Sequence, residues 1–153
     1  MKLRIVAVGT RPPAWVRDGF AEYARRMPRQ TSLELIELAT RQQGPPAQFK
    51  QAEGKAILQR VASDDHVVVL DECGHSRDSD ALAGRLEVWR GLGRDVVFVV
   101  GGAAGLDDAV RERAQETLRL SDLTLPHYLV RVMLAEALYR AWSINAGHPY
   151  HRE

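Results

Sequence analysis

Apolar positions along the chain recur in two periods that alternate. The run from Leu3 to Val8 is dominated by apolar and β-branched residues and stops at Gly9-Thr10-Arg11-Pro12-Pro13, turn chemistry that closes a first strand. From Trp15 to Met27 the apolar residues Val16, Phe20, Tyr23, Ala24 and Met27 fall three and four apart, predicting a helix that Pro28 ends. Leu33 to Leu38 mostly alternates apolar and acidic side chains, as an edge strand does. Residues 39–49, with Gly44, Pro45 and Pro46, read as a loop, and a helix is predicted from about Ala47 to Ala62. Val67 to Leu70 and Val96 to Val100 are continuous apolar runs, the mark of strands covered on both faces, and Leu82, Leu86 and Trp89 between them keep helical spacing. A short helix over Leu106 to Thr117, a strand over Leu118 to Leu125 and a long helix over Leu129 to Ile144 complete the pattern. In that last helix Val130, Met133, Leu134, Ala137, Leu138 and Ala141 are expected to face the core. Repeated β then α predicts an α/β fold, a mainly parallel sheet with helices on both faces.

Length and charge narrow the picture. A chain of 153 residues fits one domain, residues 1–153, that must hold every functional group itself. No stretch approaches the ~20 apolar residues of a membrane span, and the N-terminus lacks the features of a secretory signal, so a soluble cytoplasmic protein is expected. Cys73 is the lone cysteine, which excludes an intrachain disulfide and a cysteine-pair zinc site. Net charge is only +1, yet residues 1–29 carry seven basic side chains against Asp18 and Glu22, a formal +5. That segment is either a solvated basic face or a surface for a polyanion.

Ligands of open α/β sheets bind beyond the carboxyl ends of the strands, which selects three loops: Leu70 to Gly74, Gly101-Gly102-Ala103-Ala104-Gly105, and Ser121 to His127. The glycines allow a main chain to approach a ligand closely. Their spacing is not the dinucleotide fingerprint, and the absence of a glycine-lysine-serine or glycine-lysine-threonine triplet argues against a triphosphate loop. The C-terminal His148-Pro149-Tyr150-His151-Arg152-Glu153 concentrates aromatic, imidazole and guanidinium groups. These suit a flipped RNA base better than a metal, because two histidines without further ligands fall short of a zinc site. His127, just after Pro126, is either a structural helix-start residue or a general base. Glu136 and Arg140, four apart, are expected to form a surface ion pair.

The ordered series Val8-Gly9-Thr10, Leu70-Asp71, Gly101-Gly102-x-x-Gly105, Leu120-Ser121-x-Leu123-Thr124-Leu125-Pro126-His127, Leu129-Val130-Arg131, Glu136-x-Leu138-Tyr139-Arg140-Ala141 and the terminal His148 to Glu153 closely resembles the ribosomal RNA large subunit methyltransferase H family of the SPOUT superfamily. The resemblance covers the whole chain. It implies a C-terminal trefoil knot that holds S-adenosylmethionine, a homodimer, and methyl transfer to N3 of a pseudouridine in 23S ribosomal RNA on assembled 70S ribosomes. It implies cofactor contacts at Leu70, Gly101, Gly102, Ser121, Asp122, Leu123, Thr124, Leu125 and Pro126. His127 is the first choice to accept the N3 proton, with His151 and Glu136 as alternatives. Tyr150 and Arg152 are expected to position base and phosphate, and Arg4, Arg140 and His151 to contact RNA. No metal and no membrane partner are expected. Where relatives often carry a proline and an acid, this chain has Ala103-Ala104, and where lysine is frequent it has His75. Two rivals predict different behaviour: an α/β enzyme of another nucleotide cofactor would ignore RNA, and a noncatalytic ribosome-binding protein would take up no cofactor.

Overall fold

The computed structural model describes residues 1–39 and 44–152. Strand β1 (Lys2–Val8) leads through the Pro12-Pro13 turn into α1 (Ala14–Arg26), and a 3-10 turn at Arg29–Thr31 leads into β2 (Ser32–Leu38). There follow α2 (Pro46–Leu58), β3 (His66–Ser76), α3 (Ser79–Leu92), β4 (Val96–Val100), α4 (Asp108–Arg113), β5 (Glu116–Arg119) and α5 (His127–Ala146), with a closing 3-10 turn at Pro149–Arg152. All pairings are parallel, in the order β2-β1-β4-β3-β5. The predicted parallel sheet is therefore present, and β2 is an edge as its alternation implied.

Side-chain alternation sorts the core into two layers. Leu3, Ile5 and Ala7 of β1 and Phe98 of β4 face a cluster with Trp89 of α3 and Leu134 and Leu138 of α5. Val6 and Val8, with Val97 and Val99, face the other way onto Ile57 of α2 and Val110 of α4. Both faces of the central strands are thus covered, which is why those strands read as unbroken apolar runs.

Five elements differ in their bounds from the sequence expectation, and three of them shape the site. The helix predicted over 106–117 shrinks to α4, and the strand predicted over 118–125 moves back to β5. The cause is Glu116, whose carboxylate accepts hydrogen bonds from Arg85 Nη2 (2.7 Å) and Trp89 Nε1 (2.7 Å) and is bound by His66. Burial works against its charge, but the donors outweigh burial and bring its pKa down to about 2. This anchor draws 116–119 onto β3 and leaves 120–126 irregular. The loop expected at Leu70 to Gly74 is instead contained in β3, as a bulge: Leu70 and His75 both pair with Leu118, and the residues between them are displaced from the ladder. The helix predicted over 47–62 is α2, which starts one residue earlier and ends four residues earlier, and the long last helix is two residues longer at each end than predicted. Of the loop expected over 39–49, residues 40–43 lie outside the described residues.

Arg131 of α5 is fully buried. Its Nη2 donates to the carbonyls of Val8 (3.1 Å) and Gly9 (2.6 Å), its Nη1 to Glu37 Oε2 (2.6 Å), and its guanidinium lies 4.7 Å from the Tyr128 ring centre. Replacing Arg131 with methionine strands two carbonyls and a carboxylate, and is expected to destabilise the fold by about 3–5 kcal/mol; urea unfolding measures it, and a loss below about 1 kcal/mol would show that the contact is dispensable. The bulge supplies a second test. A Cβ on Gly74 would lie 2.9 Å from the Leu118 carbonyl carbon and 3.0 Å from its nitrogen. Gly74→Ala should therefore cost about 1–3 kcal/mol and speed amide exchange in β5, whereas unchanged exchange would mean that the bulge yields freely.

Candidate functional site

The carboxyl ends of β3, β4 and β5 open on one cavity of about 470 Å³. Its walls are residues 70–73 of the β3 bulge, 100–106 after β4, 118–121 with Leu123 and Leu125 after β5, and Arg111, His127 and Val130 from α4 and α5. All three loops selected from the sequence converge there. The turn after β4 is closed by Gly105 N donating to the Gly102 carbonyl at 3.0 Å, and Gly105 has φ +85°, a left-handed conformation that favours glycine. In the third loop Ser121 Oγ accepts the Leu123 amide at 2.9 Å, so this side chain shapes the backbone.

The wall is mostly main chain and aliphatic side chain, with Asp71, Glu72, Arg111 and Arg119 as its charged members. Asp71 forms an ion pair with Arg111 and also accepts the Cys73 amide at 2.9 Å. His127 opens α5 and lies 4.4 Å, centre to centre, from the Tyr128 ring. Burial first, and the charge of Arg131 second, lower its pKa below the usual histidine value, which favours the neutral imidazole. Tyr128 in turn ties the site to the N-terminal loop, its hydroxyl accepting the Arg11 amide at 3.3 Å.

Of the residues expected to cradle a cofactor, Leu70, Gly101, Gly102, Ser121, Leu123 and Leu125 line the cavity. Asp122, Thr124 and Pro126 do not: they are exposed, Asp122 pairs with Arg119 at 3.2 Å, and the Pro126 carbonyl starts α5 by accepting Val130 N. His127 is present, while Tyr150, His151, Arg152, Arg140 and Arg4 are not among the lining residues of the cavity. Arg4 is held at the amino-terminal side of the sheet by Asp65, at 2.6 Å. The tail forms a turn against α5. Tyr150 packs 4.7 Å from Tyr139, centre to centre, and donates to Glu136 Oε1 at 3.0 Å, and Arg140 grips the same oxygen at 2.6 and 2.9 Å. Glu136 is therefore an anchored acceptor. It lines a second cavity of about 500 Å³ with Tyr23, Met133 and Ala137, on the far side of residues 118–120, which face both cavities.

Sequence reasoning missed Arg111 and Val130 as site residues, because they sit on helices as unremarkable surface and core positions. Among the described residues no group of three or more histidine, cysteine, aspartate or glutamate side chains is placed to hold a metal. Nor is any described helix long and apolar enough to cross a membrane.

Comparison with known proteins agrees with this geometry. Residues 1–151 match the family model described as "Predicted SPOUT methyltransferase". The chain is 49% identical over 156 residues to a protein of Hahella chejuensis (strain KCTC 2396), and 49% identical over 155 residues to one of Variovorax paradoxus (strain S110). Both carry the name "Ribosomal RNA large subunit methyltransferase H", and each match covers 100% of this chain and of the relative. With its three strand-end loops gathered on one cavity and its whole length matched, the chain belongs to the SPOUT methyltransferase family.

Proposed function

We propose that the protein methylates large-subunit ribosomal RNA, transferring a methyl group from S-adenosylmethionine to N3 of a pseudouridine in 23S RNA within the assembled 70S ribosome. The reading includes a cytoplasmic homodimer of single-domain chains and the C-terminal trefoil knot that family membership implies. One observation carries it: residues 70–73, 100–106 and 118–121, with Leu123 and Leu125, wall a single cavity of about 470 Å³, within the size range of small-molecule sites. That cavity fits an adenosyl group. Leu70, Leu123 and Leu125 would enclose the ring, the main chain of the glycine turn would read its polar edge, and the Asp71–Arg111 pair would meet polar parts of the molecule. Asp122, Thr124 and Pro126 belong to this reading as the exposed outer side of the same loop.

The cofactor supplies a sulfonium-bound methyl group. Bound there, it would give that methyl carbon to N3 and keep the carbon–sulfur electron pair on sulfur, which leaves alignment and removal of the N3 proton as the contributions of the protein's own residues. His127 suits the second role, being at the cavity wall and favoured in its neutral form. Glu136 is less suited, since Arg140 and Tyr150 already occupy one of its oxygens.

Charge placement supports an RNA partner. Within residues 1–29, Lys2, Arg4, Arg25 and Arg26 are neutralised by Glu34, Asp65 and Glu22. Arg11 and Arg17 make no ion pair among the described residues, and they flank Trp15, which is 60% exposed. Cations beside an exposed aromatic suit phosphate and base contact, and the Arg11–Tyr128 hydrogen bond brings this loop next to His127. Tyr150, His151, Arg152 and Arg140 lie outside their own chain's cavity, so the reading assigns the tail to RNA at the site of a second copy.

Labelled S-adenosylmethionine incubated with ribosomes lacking the modification should place label in large-subunit RNA; ribosome association without transfer would favour a noncatalytic role. If His127 takes the proton, kcat/KM is level at neutral pH and falls with acidification through a pKa below about 6.5, and His127→Gln lowers it about 100-fold and removes that limb. An unchanged pH profile in the variant rules out His127 as the base. Arg152→Ala should reduce turnover on ribosomes at least about tenfold with cofactor affinity intact, and mixing a tail-deleted chain with a Gly102 variant should restore part of the activity; equal activity of the alanine variant removes Arg152 from the site.

A further inference from the structure

Glu53, on α2, is 5% exposed, and its Oε2 is sealed from solvent without a hydrogen-bond partner. The contrast with the other buried acid is plain. Asp65 is held by Arg4 at 2.6 Å and by the Ala62 amide at 2.7 Å. A buried carboxyl group without a donor is unfavourable and rare enough to call for a reason. Its position suggests one. A Cβ built on Gly102 would lie 3.2 Å from Glu53 Oε2 and 3.5 Å from Oε1, so the carboxyl stands directly against the turn that walls the cavity. That turn has donors to offer. Gly105 N is engaged within it, whereas the amides of Ala103 and Ala104 donate to no acceptor among the described residues.

We propose that Glu53 is a positioning residue for the cofactor turn: when ligand fills the cavity, the Glu53 carboxylate accepts main-chain N–H groups of residues 103–104 and holds the turn closed. The inference rests on the reading of the cavity as the S-adenosylmethionine site. It makes the unpaired carboxyl of the free protein one half of a contact that ligand completes. Burial pushes the Glu53 carboxyl above its ordinary range, as expected where no cation neutralises it. The charged groups on the elements packed around it do not alter this. α4 begins next to Asp107, which packs on Gly54; β2 brings Glu37, already engaged by Arg131; the facing part of β1 and residues 101–106 are uncharged; and Lys50 and Lys55 of α2 form no ion pair with Glu53 among the described residues.

The sign of the pH effect follows. Burial raises the Glu53 pKa in the free protein and main-chain donors would lower it in the liganded one, so binding is linked to proton release and affinity rises as pH rises through the elevated free-state pKa. The same logic makes the ionised group a burden on the free fold, one that glutamine removes.

The test is calorimetric titration with S-adenosylhomocysteine at about pH 4.5, the ordinary carboxylate value, and at about pH 8, for the unsubstituted protein and Glu53→Gln. His127 is present in both proteins, so the readout is the difference between them. The unsubstituted protein should gain about tenfold more affinity than Glu53→Gln between the two pH values. The ligand-free variant should melt at the same or a higher temperature. Titrations in buffers of different ionisation enthalpy count the released proton without any variant. Equal pH dependence in the two proteins, no proton released, or a variant that melts lower or fails to fold each overturns the role of Glu53 while leaving the cavity a cofactor site. Absence of saturable binding by the unsubstituted protein at both pH values overturns the cofactor reading and this inference with it.

Discussion

The burial of Arg131 is the constraint on which the rest of the molecule turns. A guanidinium removed from water needs partners, and here its two terminal nitrogens donate to the carbonyls that end β1 and to the Glu37 side chain of β2, while its plane lies against the ring of Tyr128. One side chain therefore fixes where α5 crosses the carboxyl end of the sheet. It also sets the start of that helix, and with it the position of His127. The same positive charge adds to burial in keeping that imidazole neutral. Fold and site are in this sense a single arrangement, since α5 cannot shift without moving the group at the cavity wall.

How much of this could be read from the chain depended on the range of the interaction. Strands β1 and β4 and helices α1, α3 and α5 are stated locally, by apolar periods long enough to survive any tertiary context. The three site loops were legible because parallel α/β sheets bind at strand ends, whatever their chemistry. What escaped was set by partners distant in sequence. Glu116 pulls β5 into place through His66, Arg85 and Trp89, so the 106–125 region is divided by a contact that no local window contains. The β3 bulge likewise depends on Gly74 meeting Leu118, and the Glu136–Arg140 pair, legible as an ion pair, acquired its third member only when the tail folded back.

Polar groups are unequally distributed between structure and site. Arg131 binds charge in the buried framework and Glu116 at its partly buried edge, while the cavity wall is mostly leucines, glycines and main chain. Such a wall recognises shape and amide geometry rather than side-chain charge.

Residues 118–120 form a partition one strand thick, with a chamber on either side. Leu118, Arg119 and Leu120 line both, so an occupant of the chamber at the strand ends and one of the chamber beside Glu136 and Tyr23 would meet the same residues. Any preference that one occupant had for a setting of this shared wall would be returned in equal measure to the other.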